Sequence, residues 1–196
     1  MTRGRGRRAS PYARHVLLVI RPGSAADAAA IRQVRRESWV AAYTGIIDRA
    51  TIDRATAEPS PDRPAPDPPP GVRTLVAAGG DDLAVIGFAS FGPERAVASA
   101  CYPIAALAGG QAALPGELYA LYVTPQRWST GAGRALMESV LAALTETGYL
   151  KVVLWVLADN TRARRFYERA GFAPDGVTNI LTSLGGVLEL RYARDL

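Results

Sequence analysis

Glu117-Leu-Tyr-Ala-Leu-Tyr-Val-Thr-Pro125-Gln-Arg-Trp-Ser-Thr-Gly131-Ala-Gly133-Arg134 holds a strand, a turn and the start of a helix in eighteen residues. The apolar run Leu118–Val123, ended by Pro125, predicts a strand over Glu117–Thr124. Downstream, Leu136, Val140 and Leu144 share one helical face with Met137 and Leu141 beside them. The spacing predicts a helix from Gly131 to about Thr147, closed by Gly148. A loop between a strand and a helix leaves the first helical amides unpaired and pointing outwards. Glycines there let an anion approach the backbone, and the helix dipole favours its charge. Gly131 and Gly133 also admit a plainer reading, in which they only let the helix pack closely on the sheet. Leu136 occupies the third glycine position of Gly-x-Gly-x-x-Gly, and Gly-Lys-Ser/Thr is missing. Rossmann and P-loop nucleotide sites are therefore not expected.

Working outward, His15–Arg21 reads as a buried strand closed by Pro22-Gly23. Ser24 is placed to cap a helix carrying Ala28, Ile31, Val34, Arg35 and Ser38, which runs through Trp39 and Tyr43 and stops near Gly45. A short helix follows around Asp48–Ala57. Val72–Ala78 and Leu83–Phe91 read as strands joined by the hairpin signal Gly79-Gly80-Asp81-Asp82. Beyond the central helix, Leu150–Leu157 reads as a strand buried on both faces. Asp159 or Asn160 caps a helix carrying Ala163, Phe166, Tyr167 and Ala170, and Gly171 closes it. Phe172–Pro174 and Val187–Tyr192 finish as strand-like pieces. This order implies a mixed sheet with helices on both sides.

Composition bounds the rest. The 196 residues are 48% hydrophobic and 21% charged, as expected of a soluble globular chain that can bury a core unaided. Arg3, Arg5, Arg7, Arg8 and Arg14 crowd the first fourteen residues without an acidic partner. Taking those five from the 23 basic residues leaves 18 against 18 acidic ones, so the net charge of +5 belongs to a tail. That tail, residues 1–14, has nothing to bury and reads as disordered. Residues 15–196 read as one domain, interrupted by a Pro-rich loop over 58–71 and an Ala-rich insert over 93–116. The loop holds seven of the fourteen prolines. The insert has the length of a membrane span, but Pro103, Gly109, Gly110 and Pro115 break it. A single cysteine, Cys101, excludes an internal disulfide framework, and a single histidine, His15, excludes a His-rich metal site. No metal is expected, and Val16–Ile20 is too short for a signal-peptide core, so the protein reads as cytoplasmic.

Glu117–Arg134 resembles the central motif of the GNAT superfamily of acyl-CoA-dependent N-acetyltransferases, Gln/Arg-x-x-Gly-x-Gly/Ala after a strand. Asn160-Thr-Arg-Ala163-Arg-Arg-Phe-Tyr167-Glu-Arg-Ala-Gly171-Phe172 is similar to that family's second motif, Asn-x-x-Ala-x-x-x-Tyr-x-x-x-Gly-Phe. Glu37-Ser-Trp39-Val-Ala-Ala-Tyr43-Thr-Gly45 resembles the first-helix segment of many bacterial members. The three motifs stand in the family's order. One position departs from the pattern: Trp128 stands where the family has Gln or Arg, although Arg127 and Arg134 are near enough in sequence to supply charge.

The resemblance implies a mixed, mostly antiparallel sheet of six to seven strands with splayed central strands. It implies acetyl transfer from acetyl-CoA to a primary amine, small-molecule or protein, by direct attack. It assigns the backbone of Leu121, Tyr122 and Val123 to the donor's pantetheine arm. The loop Trp128, Ser129, Thr130, Gly131, Ala132, Gly133 and Arg134 takes the pyrophosphate, and Asn160 contacts the pantetheine or phosphate region unless it serves only as a helix cap. Tyr167 corresponds to the tyrosine that protonates the departing thiolate, a suitable task for a phenol in a dry pocket, while its spacing alone fits a core residue. Glu117 stands at the offset of a general-base glutamate, with an exposed strand end as the alternative. Trp39 and Tyr43, at i and i+4, line the acceptor pocket or the core. No membrane partner is expected, nucleic acid is expected at most as weak tail contact, and the chain is expected to be a monomer or homodimer. The rival reading is a non-catalytic acyl-CoA-binding or regulatory module that touches nucleic acid through the Arg-rich tail.

Overall fold

A strand that is apolar at almost every position needs cover on both faces, and Lys151–Leu157 (β5) finds it in the interior of a seven-stranded sheet. The computed structural model describes residues 17–57, 69–80, 82–95 and 115–196. His15, Cys101, the basic tail, most of the Pro-rich loop and most of the Ala-rich insert lie outside the described residues. On one side β5 pairs antiparallel with Val187–Asp195 (β7), which pairs with Ala173–Leu181 (β6). On the other it pairs in parallel with Gly116–Val123 (β4). Ala84–Pro93 (β3), Arg73–Gly79 (β2) and Leu18–Pro22 (β1) continue the sheet antiparallel, giving the order β1-β2-β3-β4-β5-β7-β6.

Parallel neighbours require a crossover, and Ala132–Glu146 (α3) supplies it between β4 and β5. Its buried stripe of Leu136, Met137, Val140, Ala143 and Leu144 covers one face of the sheet, joined there by Thr161–Arg169 (α4) through Phe166 and Tyr167. The opposite face takes Ala28–Tyr43 (α1) and Arg49–Ala55 (α2), through Val34, Trp39 and Ile52. Adjacent strand residues therefore part company. Val76 and Phe88 enter the core under α1, while Ala77 and Ala89 enter the core under α3.

An ion pair sets α1 on its face. Arg21, near the end of β1, donates to both oxygens of Asp27 at 2.8 and 2.7 Å. The Ser24 amide and hydroxyl each donate to Asp27 Oδ2 at 2.8 Å, so Ser24 and Asp27 form a capping box on the 3-10 turn that leads into α1. The Arg21 bonds, with those from Ser24, hold the Asp27 carboxyl far below the usual carboxylate range. A depressed carboxyl contributes stability above its unfolded pKa near 4 and loses it as the pH falls. Asp27→Asn should therefore lower the melting temperature at pH 7, and its gap from wild type should narrow at pH 3; thermal unfolding at the two pH values checks this.

Several elements differ in extent from the sequence reading; β7, expected over Val187–Tyr192, runs on to Asp195. The strand expected over Phe172–Pro174 runs on as Ala173–Leu181, with a register shift between Pro174 and Thr178. The insert expected over 93–116 starts later and ends earlier than that: β3 and β4 stay paired out to Pro93↔Gly116, and the Glu94 amide donates to Pro115 O at 3.0 Å.

Candidate active site

The β4–β5 ladder runs from Gly116↔Val152 to Leu118↔Leu154 and stops, although β4 continues to Val123 and β5 to Leu157. The cause lies one residue further along β4. Ser90 and Phe91, adjacent on β3, pair with Ala120 and Leu118, so Tyr119 is an extra residue bulged out of β4. A bulge bends its strand and increases the twist, and here it turns β4 away from β5. The bulge is tied down: the Tyr119 hydroxyl donates to Pro93 O, and the Arg95 guanidinium carbon lies 4.5 Å from the Tyr119 ring centroid. Burial and the Glu117 charge push the Tyr119 phenol up to about 12.

The gap between the strands opens into a cleft of about 1590 Å³. That exceeds the roughly 300–1,000 Å³ of ordinary small-molecule pockets and suits a long ligand. Its walls are β4 from Leu118 to Val123, the loop before α3, and the inner side of α4. Past Leu118, β4 has no ladder on its β5 side, which leaves backbone groups available to an extended chain of amides, except the Val123 carbonyl, which accepts from Ser38 Oγ at 2.9 Å and from the Trp128 indole.

At the loop, Pro125–Arg127 forms a 3-10 turn, and the indole Nε1 of Trp128 donates to Val123 O at 2.7 Å. Thr130 Oγ1 donates to Arg127 O at 2.7 Å. Ser129 has φ +62° and Gly131, the N-cap of α3, has φ +98°. A side chain on Gly131 would meet nothing within 4 Å, and one on Gly133 would make ordinary contact with Phe166 at 3.5 Å. Neither glycine is there for close helix packing. Gly131 serves a left-handed turn that aims the start of α3 at the cleft, and the amides of Gly131 to Arg134 meet no acceptor among the described residues.

Positive charge lines the same cleft. Arg127, Arg162, Arg165 and Arg169 line the cleft, and none has a carboxylate within salt-bridge range among the described residues. Arg134, by contrast, is held by Glu138 at 2.7 Å. Unpaired cations beside unpaired amides make a site for a polyanion.

The residues singled out from sequence distribute unevenly. Leu121, Tyr122, Val123, Trp128, Ser129, Gly131, Gly133, Arg134, Asn160, Tyr167 and Tyr43 all line the cleft. Thr130 lies exposed on the loop, and Ala132 is buried beneath it. Asn160 Oδ1 caps α4 by accepting from the Ala163 amide at 3.1 Å, which leaves its NH2 group for the cleft. Tyr167 stands between Phe166 and Phe172, with ring centroids 5.3 and 6.1 Å away. Burial, and next the neighbouring Tyr122, push its phenol far above the ordinary value. The Tyr43 phenol is raised in the same way, by burial and then by Tyr122.

Trp39 and Glu117 lie off the cleft. Trp39 packs with Ile47, Ile52 and Leu157 beneath α1, edge-on to Tyr43 at 5.1 Å. Glu117 is 1% exposed, and its carboxylate accepts from the Arg95 backbone amide at 2.8 Å and from the Arg95 guanidinium. Sequence reasoning missed Arg162, Arg165 and Arg169 as part of the site; the run Arg-Ala-Arg-Arg over 162–165 was the available signal, one that a solvated helix face would also give.

Residues 30–172 match the model of the Acetyltransferase (GNAT) family. Over 103 residues the chain is 33% identical to the uncharacterized N-acetyltransferase YuaI of Bacillus subtilis, covering 53% of this chain and 50% of that protein. Over 65 residues it is 43% identical to the mycothiol acetyltransferase of Beutenbergia cavernae, covering 33% of this chain and 22% of that protein. The aligned part thus spans half or less of these relatives. The fold is similar to that of the PaiA N-acetyltransferase of Thermoplasma acidophilum solved in complex with coenzyme A. The TM-score is 0.62 at 19% identity, over 89% of this chain and 98% of that one.

Proposed function

Because this chain belongs to the GNAT acetyltransferase family, we propose that it moves an acetyl group from acetyl-CoA to a primary amine in the cleft between β4 and β5. The observation that carries the reading is the coincidence of three features there: a strand edge freed by the Tyr119 bulge, and, among the described residues, unpaired amides at the start of α3 and four cations without carboxylate partners. The strand edge suits the pantetheine amides, and the loop with its cations suits the phosphates. The acceptor enters from the α1 side, past Tyr43 and Tyr122. No described helix is long and apolar enough to cross a membrane; we place the reaction in the cytoplasm, with acetyl-CoA as donor.

In the reaction, the amine lone pair attacks the thioester carbonyl carbon. A C–N bond forms, the C–S bond breaks, and the electron pair leaves on sulfur. The Tyr167 hydroxyl gives its proton to that sulfur, and solvent returns one to the phenolate. A raised phenol stays protonated at every working pH, and the burial that raises it raises the thiolate's proton affinity as well. The proton shed by nitrogen leaves through water.

Glu117 has a different part in this scheme. Both of its oxygens face Arg95, so we assign it to holding β4 just before the bulge. Glu117→Gln should cost about 1.5–3 kcal/mol of stability, the range for hydrogen bonds to a charged group, and should change turnover less than about threefold. A hundredfold loss of turnover at unchanged stability would return it to the role of general base.

Acetyl-CoA should raise the melting temperature, because a ligand that binds only the folded state stabilises it by about 2.7 kcal/mol at a hundred times its Kd. No shift at millimolar acetyl-CoA would count against the donor assignment.

A further inference from the structure

We propose that Arg162 is a phosphate ligand for the donor and that Trp128 is the platform that holds it in place; the proposal rests on acetyl-CoA occupying the cleft. Trp128 fills a position where the motif carries Gln or Arg, so the loop lacks the polar side chain expected there. Its indole is not free to turn, because Nε1 is bonded to Val123 O at 2.7 Å, at the very end of β4. Arg162, from the first turn of α4 across the cleft, lies over that ring with its guanidinium carbon 3.9 Å from the centroid. This is close cation–π stacking. A guanidinium has five N–H donors in a planar fork, so contact with a ring, which accepts no conventional hydrogen bond, leaves donors for a further partner.

Among the described residues nothing takes those donors. Arg162 has no carboxylate partner among the described residues, whereas Arg164, two positions on, donates to Tyr192 Oη and to Ala158 O. The helix itself works against a cation here, because the first turn is the positive end of the dipole. A basic residue at that point, fixed on an aromatic surface and unpaired, makes sense once an anion arrives between it and the unpaired amides of α3. The cation missing at position 128 is thus returned from the opposite wall of the cleft. The chemistry is that of a phosphate oxygen, and acetyl-CoA offers two sources, its diphosphate bridge and its ribose phosphomonoester.

The test compares donors and variants. Acetyl-CoA, 3′-dephospho-acetyl-CoA and acetyl-pantetheine are titrated against wild type, Arg162→Ala, Trp128→Phe and the double variant, by indole fluorescence and by KM. Arg162→Ala should raise Kd and KM for acetyl-CoA roughly 10-fold or more, while kcat at saturation changes less than about twofold. With acetyl-pantetheine, which has neither phosphate group, that penalty should disappear. A penalty that persists with the dephospho donor assigns the diphosphate; one that vanishes assigns the monoester. Trp128→Phe should weaken acetyl-CoA binding in the wild-type background and add little to Arg162→Ala, because the indole acts through the arginine. Wild-type affinity in Arg162→Ala, or an equal loss with acetyl-pantetheine, would overturn the assignment to phosphate. Additive losses would overturn the platform role of Trp128. Failure of wild type itself to bind acetyl-CoA would remove the parent reading and this one with it.

Discussion

Turnover of Tyr167→Phe should fall roughly 100-fold under saturating acetyl-CoA, the lower end of what a general acid supplies. Phenylalanine keeps the ring that stands between Phe166 and Phe172 and removes only the hydroxyl. Stability should change by about 1 kcal/mol at most, the usual worth of one hydrogen bond. Donor affinity should stay close to normal, because the phosphates are proposed to bind at the loop before α3 and not at the Tyr167 hydroxyl. Steady-state rates on a good amine, with a parallel melting curve, separate these quantities. Wild-type turnover in a folded variant would return Tyr167 to the core and leave the thiolate to solvent.

Thr130→Glu addresses the loop. Thr130 is exposed, its side chain bonding only to Arg127 O, so a replacement has room. A carboxylate ahead of a helix is favoured by the dipole, so the free protein should keep its fold. Against a phosphate some ~5 Å away, the new charge costs about 2–3 kcal/mol at an effective dielectric of 20–40. Acetyl-CoA affinity should therefore drop roughly 30- to 150-fold, and most of the ligand-induced rise in melting temperature should go with it. Calorimetric titration reads the loss directly, and an unchanged Kd would mean that the phosphates are not at this loop.

How far the sequence reached depends on how local each feature is. The β4–loop–α3 unit was legible because its strand, Pro125, glycines and helical stripe lie within thirty residues and agree with one another. The same holds for α4, where Asn160 caps as its position suggested. The bulge at Tyr119 left no trace, since Leu118 to Val123 is apolar on both faces and an extra residue does not disturb any alternation. The pairing of Glu117 with Arg95 was hidden for another reason. Its partner lies 22 positions upstream, at the mouth of an insert with no periodicity. The length of β6 was obscured by Pro174, Asp175, Gly176 and Asn179, which occur at a sheet edge but carry little strand propensity. Arg162 could be recognised only once α4 and the loop stood face to face.

Direct acetyl transfer is the central claim, and its stoichiometry tests it. The full chain is incubated with acetyl-CoA and a panel of primary amines spanning small molecules, polyamines and peptide N-termini. Released thiol and acetylated amine are then measured in the same sample, the second by mass. The account predicts at least one amine for which amide and free CoA appear one for one, both lost together in Tyr167→Phe. Tight acetyl-CoA binding with no amide formed on any amine, or thiol release without amide, would contradict it and leave a chain that binds the donor without using it.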